Sequence, residues 1–117
     1  MSPQGTVDWK ALTDQEVVRH AVAGREAAYR ELIRRYQRPV FSLLYRMVRD
    51  RELAEDLAQE TFLKAWKALA RFDPGRRFSS WIFKIAHNSA LDELRRRRRQ
   101  LPAPAARRPK GNPDAQP

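Results

Sequence analysis

The sequence of 117 residues contains no cysteine and only two histidines. The first absence excludes disulfide bonds and metal sites built on thiolates. His20 and His87 each fit an ordinary helical pattern, and neither has a metal-ligating partner at useful spacing. We therefore predict that the chain uses no metal and no cofactor and is not an enzyme.

Long apolar runs are also missing. No window approaches the roughly 20 apolar residues that a transmembrane helix needs. The N-terminal stretch MSPQGTVDWK lacks the basic region and apolar run of a signal peptide. These features predict a soluble, cytoplasmic protein without membrane insertion.

Positive charge, in contrast, is abundant and unevenly distributed. The formal net charge is +10, and residues 95–117 carry eight Lys or Arg against one acidic residue. Most of the excess therefore lies at the C-terminal end. Such a block indicates either a solvated tail or contact with a polyanion.

Apolar residues recur at helical spacing and no strand alternation is visible, so we predict an all-α fold, a compact bundle of about four helices. Thr13 and Glu16 form a capping box for the first helix, which should end at Gly24. The next two helices should span residues 25–50 and 51–72. Pro39 should kink or split the second.

A turn, DPGRR, precedes the fourth helix. Pro74 presets φ and Gly75 tolerates a positive φ. The helix should begin at Ser79 or Ser80 and run to about Arg99. Residues 100–117 are rich in proline and arginine, which predicts a flexible linker or disordered tail.

One side of the third helix carries Asp56, Gln59, Glu60 and Leu63, at positions i, i+3, i+4 and i+7. The polar residues fit a solvated face, and Glu60 also fits an i,i+4 ion pair with Lys64. Leu63 is an apolar residue beside acids. It either covers a neighbouring loop or marks a docking face for a basic partner helix.

A second row lies on the fourth helix. It combines an aromatic plate, a cation, an amide, a carboxylate and an arginine: Trp81, Lys84, Asn88, Asp92 and Arg95. Such groups can stack on a base, neutralise phosphate and read base edges. Alternatively, Trp81 is a core residue and Lys84 faces solvent.

The order and spacing of DLAQETFLKAW, FSSWIFKIAHN and LDELRRRRR resemble region 2 of bacterial sigma-70 family sigma factors of the extracytoplasmic-function (ECF, group IV) type. The resemblance is best over residues 25–99, within a domain expected to span residues 1–99. Full members carry a further helical domain, region 4, which reads the −35 element. This sequence shows no such domain, and residues 100–117 resemble the interdomain linker.

The resemblance implies a promoter-recognition module that works on core RNA polymerase. The third helix would dock on the clamp helices of the β′ subunit through Asp56, Gln59, Glu60 and Leu63. An anti-sigma factor is a further implied partner.

The same resemblance implies that the module recognises and melts the −10 element. Its loop would take up a base flipped out of the non-template strand, through Phe72, Asp73, Arg76, Arg77 and Phe78. The DNA face of the last helix would be Trp81, Lys84, Asn88, Asp92 and Arg95.

Two other functions remain open from the residues alone. A basic helical module could bind nucleic acid through its arginines without regard to sequence. Alternatively, the chain could be a protein-interaction module whose ligand is a protein, such as an anti-sigma factor.

Overall fold

The computed structural model describes residues 7–100, and these form four α-helices and two short 3-10 turns. The helices are α1 (Asp14–Val22), α2 (Glu26–Val48), α3 (Arg51–Ala68) and α4 (Phe78–Gln100). No strand occurs within residues 7–100, so the predicted all-α class is confirmed. The predicted linker spans residues 100–117, and its residues 101–117 lie outside the described part of the chain.

The ends of α1 follow the sequence signals. Thr13 Oγ1 accepts from the Glu16 amide, and the Glu16 carboxylate accepts from the Thr13 amide, which completes the predicted capping box. At the other end Gly24 has a φ of 99°, and the amides of Gly24 and Arg25 bond to the carbonyls of Ala21 and His20. This pair of bonds closes the helix in a left-handed cap that favours glycine.

Of the two outcomes predicted for Pro39, a kink or a split in the second helix, the split does not occur. α2 continues through Pro39 without interruption. Pro39 lies on the exposed side of the helix, while Leu32 and Leu44 on either side are fully buried in the same core. Packing on both sides therefore holds the helix together across the missing backbone hydrogen bond.

The loop between α3 and α4 also departs from the predicted bounds. The α-helix ends at Ala68, a 3-10 turn covers Leu69–Arg71, and α4 already begins at Phe78. Gly75 does not have a positive φ. A Cβ at this position would lie 3.3 Å from Asp73 Oδ1, a tight contact. Glycine therefore suits this position because of the space available and not because of its backbone angle.

Contacts between helices fix their directions. Tyr36 of α2 meets Phe78 and Phe83 near the start of α4, and Asp50, two residues beyond the end of α2, meets Arg97 near the end of α4. α2 and α4 therefore run in the same direction. α3 runs opposite to both: Tyr29 near the start of α2 donates to the Phe62 carbonyl at 2.6 Å.

A polar network fastens α1 to α2. The Arg35 guanidinium donates to the Asp14 and Glu31 carboxylates, each at 2.7 Å. It also donates to the carbonyls of Trp9 and Leu12, at 2.9 Å and 2.7 Å. One side chain thus holds the 3-10 turn Trp9–Ala11 and the start of α1 against α2.

Glu31 is a buried carboxylate at the centre of this network. The hydrogen bond from Arg34 is the largest influence and, with that from Arg35, it outweighs burial and lowers the pKa of Glu31 to about 2. The carboxylate is therefore ionised at neutral pH, and the two arginines balance its buried charge.

Candidate functional site

The predicted row on α4 lies on one side of the helix and faces outward. Lys84, Asn88, Asp92 and Arg95 are exposed, and Trp81 is partly exposed at the start of the row. Asp92 pairs with Arg95 at 3.7 Å. The side chains that the sequence grouped by spacing are thus available together to a ligand.

Trp81 is supported from beneath by aromatic rings. Its ring centroid lies 4.6 Å from that of Phe72 and 5.7 Å from that of Phe78. Phe78 in turn contacts Tyr36 of α2 at 5.5 Å. Trp81 is therefore neither wholly core nor wholly exposed: one side packs on the core and the rest reaches solvent, and base stacking on it stays a prediction.

Phe72 and Phe78 do not fit direct contact with DNA. Their exposed fractions are 6% and 3%, and their rings pack edge-to-face at 5.9 Å within the core. A base cannot stack on a ring that is covered on both faces. We therefore correct the predicted contact set: these two residues anchor the ends of the loop and support Trp81.

Asp73 shapes the loop that these anchors hold. Its Oδ1 accepts from the Gly75 amide at 2.9 Å, and its carbonyl accepts from the Arg76 amide at 2.9 Å. This Asx-type turn brings the exposed Arg76 and Arg77 directly before α4. Two cations thus lie at the end of the row where Trp81 stands.

The predicted stripe on α3 is exposed along its whole length. Asp56, Gln59, Glu60 and Leu63 all reach solvent, and the Leu63 side chain is 59% exposed. The expected ion pair between Glu60 and Lys64 is present at 2.8 Å. At this exposure Leu63 is not buried beneath a loop of the described residues, and it lies one turn from the acidic Glu60.

An apolar groove runs beside this stripe, between α2 and α3. It has a volume of about 350 Å³. Its lining residues are Tyr29, Ile33, Gln37, Ala58, Gln59, Phe62, Leu63 and Trp66. Sequence reasoning missed Trp66, which is 37% exposed and packs on Tyr29 at a centroid distance of 4.9 Å. Its position three residues after Leu63 was the available signal.

Two of the five terminal arginines are held by one carboxylate. Arg96 and Arg97 both donate to Glu93, which lies buried on α4. The hydrogen bond from Arg96 is the main reason that the pKa of Glu93 is lowered. Arg97 also lies 3.8 Å from Asp50. Part of the positive charge is thus tied to the fold, while Arg95, Arg98 and Arg99 stand on the exposed surface.

Within residues 7–100, no group of three or more His, Cys, Asp or Glu side chains could hold a metal ion. None of the four helices is long and apolar enough to cross a membrane.

We compared this chain with known protein families and proteins. The family model described as Sigma-70 region 2 matches residues 32–100. The RNA polymerase sigma-H factor of Pseudomonas aeruginosa is 37% identical over 89 residues, which cover 76% of this chain and 46% of the relative. CarQ of Myxococcus xanthus, an RNA polymerase sigma factor, is 44% identical over 75 residues, 64% of this chain and 43% of CarQ.

Two solved structures share the fold. An engineered region 2 of sigmaE in complex with GTAAAA has a TM-score of 0.72 and 40% identity, and the match covers 86% of this chain and 98% of that one. CnrH, solved in complex with the cytosolic domain of CnrY, has a TM-score of 0.65 and 26% identity. That match covers 77% of this chain and 67% of the CnrH chain.

The chain spans about half the length of the curated relatives it matches, such as the ECF RNA polymerase sigma-E factor of Salmonella typhimurium, at 48% of that protein. The family model nevertheless covers more than half of this chain, from the first third of α2 to the end of α4. The chain belongs to the sigma-70 region 2 family, in its extracytoplasmic-function (ECF) branch.

Proposed function

We propose that this chain is the part of an ECF sigma factor that recognises and melts the promoter −10 element while bound to core RNA polymerase. The observation that carries the proposal is the exposed row on α4. It presents a supported indole, a cation and an amide in succession, beside two loop arginines.

Single-strand capture explains why these groups lie together. An unpaired base stacks on Trp81, Asn88 offers both a donor and an acceptor to a base edge, and Lys84, Arg76 and Arg77 hold the phosphates. Opening the duplex costs a few kcal/mol for each unstacked step. The module breaks no bond; it binds the open strand better than the closed duplex and so shifts the population toward the open state.

The second half of the proposal concerns α3. We assign its exposed stripe, Asp56, Gln59, Glu60 and Leu63, to docking on the β′ clamp helices. The acids favour a basic partner, and the exposed Leu63 beside the groove offers an apolar anchor. This docking would place the module with the cytoplasmic polymerase. We also propose an anti-sigma factor as a partner, in keeping with the solved complex of CnrH with the cytosolic domain of CnrY.

The proposal is tested with the oligonucleotide GTAAAA, which the sigmaE region 2 binds, and a scrambled oligonucleotide of the same composition. We expect the 117-residue chain to prefer the first. Asn88→Ala should weaken that binding by about 5- to 100-fold, because an amide paired to a base edge contributes about 1–3 kcal/mol.

His87→Ala is the matched control, since His87 is also exposed and adjacent in sequence but lies outside the row. It should leave affinity unchanged. Equal affinity for both oligonucleotides, with a steep salt dependence, would instead support a basic module that binds without regard to sequence.

A further inference from the structure

Lys64 lies where the two proposed surfaces meet. Its ammonium is 2.8 Å from the Glu60 carboxylate on α3 and donates to the Ser89 hydroxyl on α4 at 2.9 Å. Glu60 belongs to the proposed polymerase face, and Ser89 is a buried residue of α4, the helix that carries the proposed DNA row. One cation therefore links the proposed polymerase face to that helix.

The surroundings of Lys64 form a polar groove between α3 and α4. The groove has a volume of about 370 Å³. It is lined by Leu57, Glu60, Lys64, Ser89, Asp92, Glu93, Arg95, Arg96 and Arg99. Asp92 and Arg95 are also members of the α4 row, so the groove opens beside the proposed path of the strand. A phosphate following that row passes within reach of the groove.

We propose that Lys64 is a further contact for the DNA backbone, and that Glu60 masks its charge in the free chain. The hydrogen bond to Ser89 holds the ammonium toward α4, on the side where the strand would lie. The Lys64 and Glu60 side chains are 45% and 49% exposed, so the ion pair can be exchanged without disturbing the core.

This inference rests on the proposed function and adds regulation to it. A cationic group of a docked polymerase helix that pairs with Glu60 would remove the negative charge from beside Lys64. Lys64 would then be free to bind a phosphate. Docking on one face would thereby raise the affinity of the other through a single shared carboxylate.

A plain helix-stabilising role makes a different prediction. Exposed i,i+4 pairs contribute modestly to helix stability. If the Glu60–Lys64 pair does only that, removing the Glu60 charge will not change DNA affinity more than removing any other exposed acid. The difference between these outcomes is measurable.

The test is a titration of fluorescently labelled GTAAAA with the 117-residue chain at several salt concentrations. Glu60→Gln should raise affinity by about twofold, the effect of removing one exposed i,i+4 partner. It should also steepen the slope of log affinity against log salt by about 0.7, one additional single-strand phosphate contact. Lys64→Gln should lower affinity and abolish the effect of Glu60→Gln.

Glu26→Gln is the matched control, because Glu26 forms the same kind of exposed i,i+4 pair with Arg30 on α2, at 3.5 Å, and its loss changes net charge equally. The inference is overturned if Glu26→Gln raises affinity as much as Glu60→Gln. It is also overturned if Glu60→Gln acts equally with and without Lys64→Gln.

The masking has a second consequence in the complex with core RNA polymerase. There Lys64→Gln should lower DNA affinity by a larger factor than in the free chain, and an equal or smaller factor overturns the masking. Failure of the proposed function would look different: wild-type chain would bind matched and scrambled oligonucleotides equally.

Discussion

At the scale of single residues, Trp81 belongs partly to the core and partly to the proposed DNA face. Its ring packs against the rings of Phe72 and Phe78, at centroid distances of 4.6 Å and 5.7 Å, which supports it from one side. A base that stacks on a ring already held in place loses less free energy to ordering. We therefore expect the two buried phenylalanines to favour base stacking by supporting Trp81.

Replacing Trp81 by alanine should weaken binding of the matched oligonucleotide by about 5- to 100-fold, since stacking contributes about 1–3 kcal/mol per base. Trp66→Ala is the control. Trp66 is likewise partly exposed and packed on a ring, but it lies on the groove between α2 and α3. If both variants lose equal affinity in a fluorescence titration, the effect is one of stability and Trp81 is not a stacking surface.

Glu31 governs the acid stability of the α1–α2 contact. Its folded-state pKa of about 2 lies below the ordinary value of 4.5. A carboxylate with a lowered pKa contributes stability that is present above about pH 4.5 and is lost as pH falls toward 2. The Glu31→Gln variant has no such proton to bind.

We expect Glu31→Gln to lower the free energy of unfolding at pH 7 by about 1–3 kcal/mol, because it weakens hydrogen bonds to two guanidinium groups. Its stability should then fall less than that of wild type between pH 4.5 and 2. Urea denaturation across this range measures both effects. Parallel pH profiles for the two proteins would show that Glu31 does not carry the acid dependence.

At the scale of elements, α3 packs into the core with one face and exposes the other to solvent. Leu57, Phe62 and Ala65 are buried, while Leu63 stands 59% exposed, one turn from Glu60 and one turn from the partly exposed Trp66. A single exposed leucine is normal, but Leu63 and Trp66 also line the apolar groove between α2 and α3, and a contiguous apolar patch marks an interaction surface. This argues for docking through α3 independently of the family comparison.

Leu63→Glu should reduce binding to core RNA polymerase by at least about tenfold, since it places a charge at the apolar centre of the face. Affinity for the GTAAAA oligonucleotide should not change. Gln15→Glu on α1, which adds the same charge at another exposed site, is the control in a pull-down with purified core enzyme. Normal capture of Leu63→Glu would refute docking through this face.

Spacing within a segment predicted most elements, because each helix carries its own apolar stripe and end signals. It also predicted which residues share a face, as the exposed members of the α4 row show. It could not predict the burial of Phe72 and Phe78, because that depends on where α2 crosses the loop and not on their own spacing. The Arg35 network escaped prediction for the same reason: the partners of Arg35 outside α2 lie 21 to 26 residues away.

At the scale of the whole molecule, two proposed surfaces occupy different sides of three mutually packed helices. The α4 row and the loop arginines form one, and the α3 stripe with the α2–α3 groove forms the other. A rigid bundle between them fixes their separation, so a polymerase docked on α3 would hold the DNA face in a set position. The exposed arginines near the end of α4 extend the DNA side.

Replacing Arg98 and Arg99 by glutamine should lower DNA affinity equally for matched and scrambled oligonucleotides. The slope of log affinity against log salt concentration should become less steep by about 0.7 for each lost phosphate contact. Arg25→Gln with Arg38→Gln removes the same charge from exposed sites elsewhere and should change the slope less. If the two double variants change the slope equally, the arginine run acts only through the net charge of the chain and makes no direct phosphate contact.

The central claim is that the outer row of α4 holds the unpaired strand. An NMR titration of the isotope-labelled 117-residue chain with GTAAAA tests it most directly. We expect the NMR signals of the Trp81 indole and of the Lys84 and Asn88 side chains to shift together with those of the loop arginines. The signals of Leu63 and Trp66 should stay unchanged. Shifts confined to the α2–α3 groove, with an unchanged Trp81 indole, would contradict it.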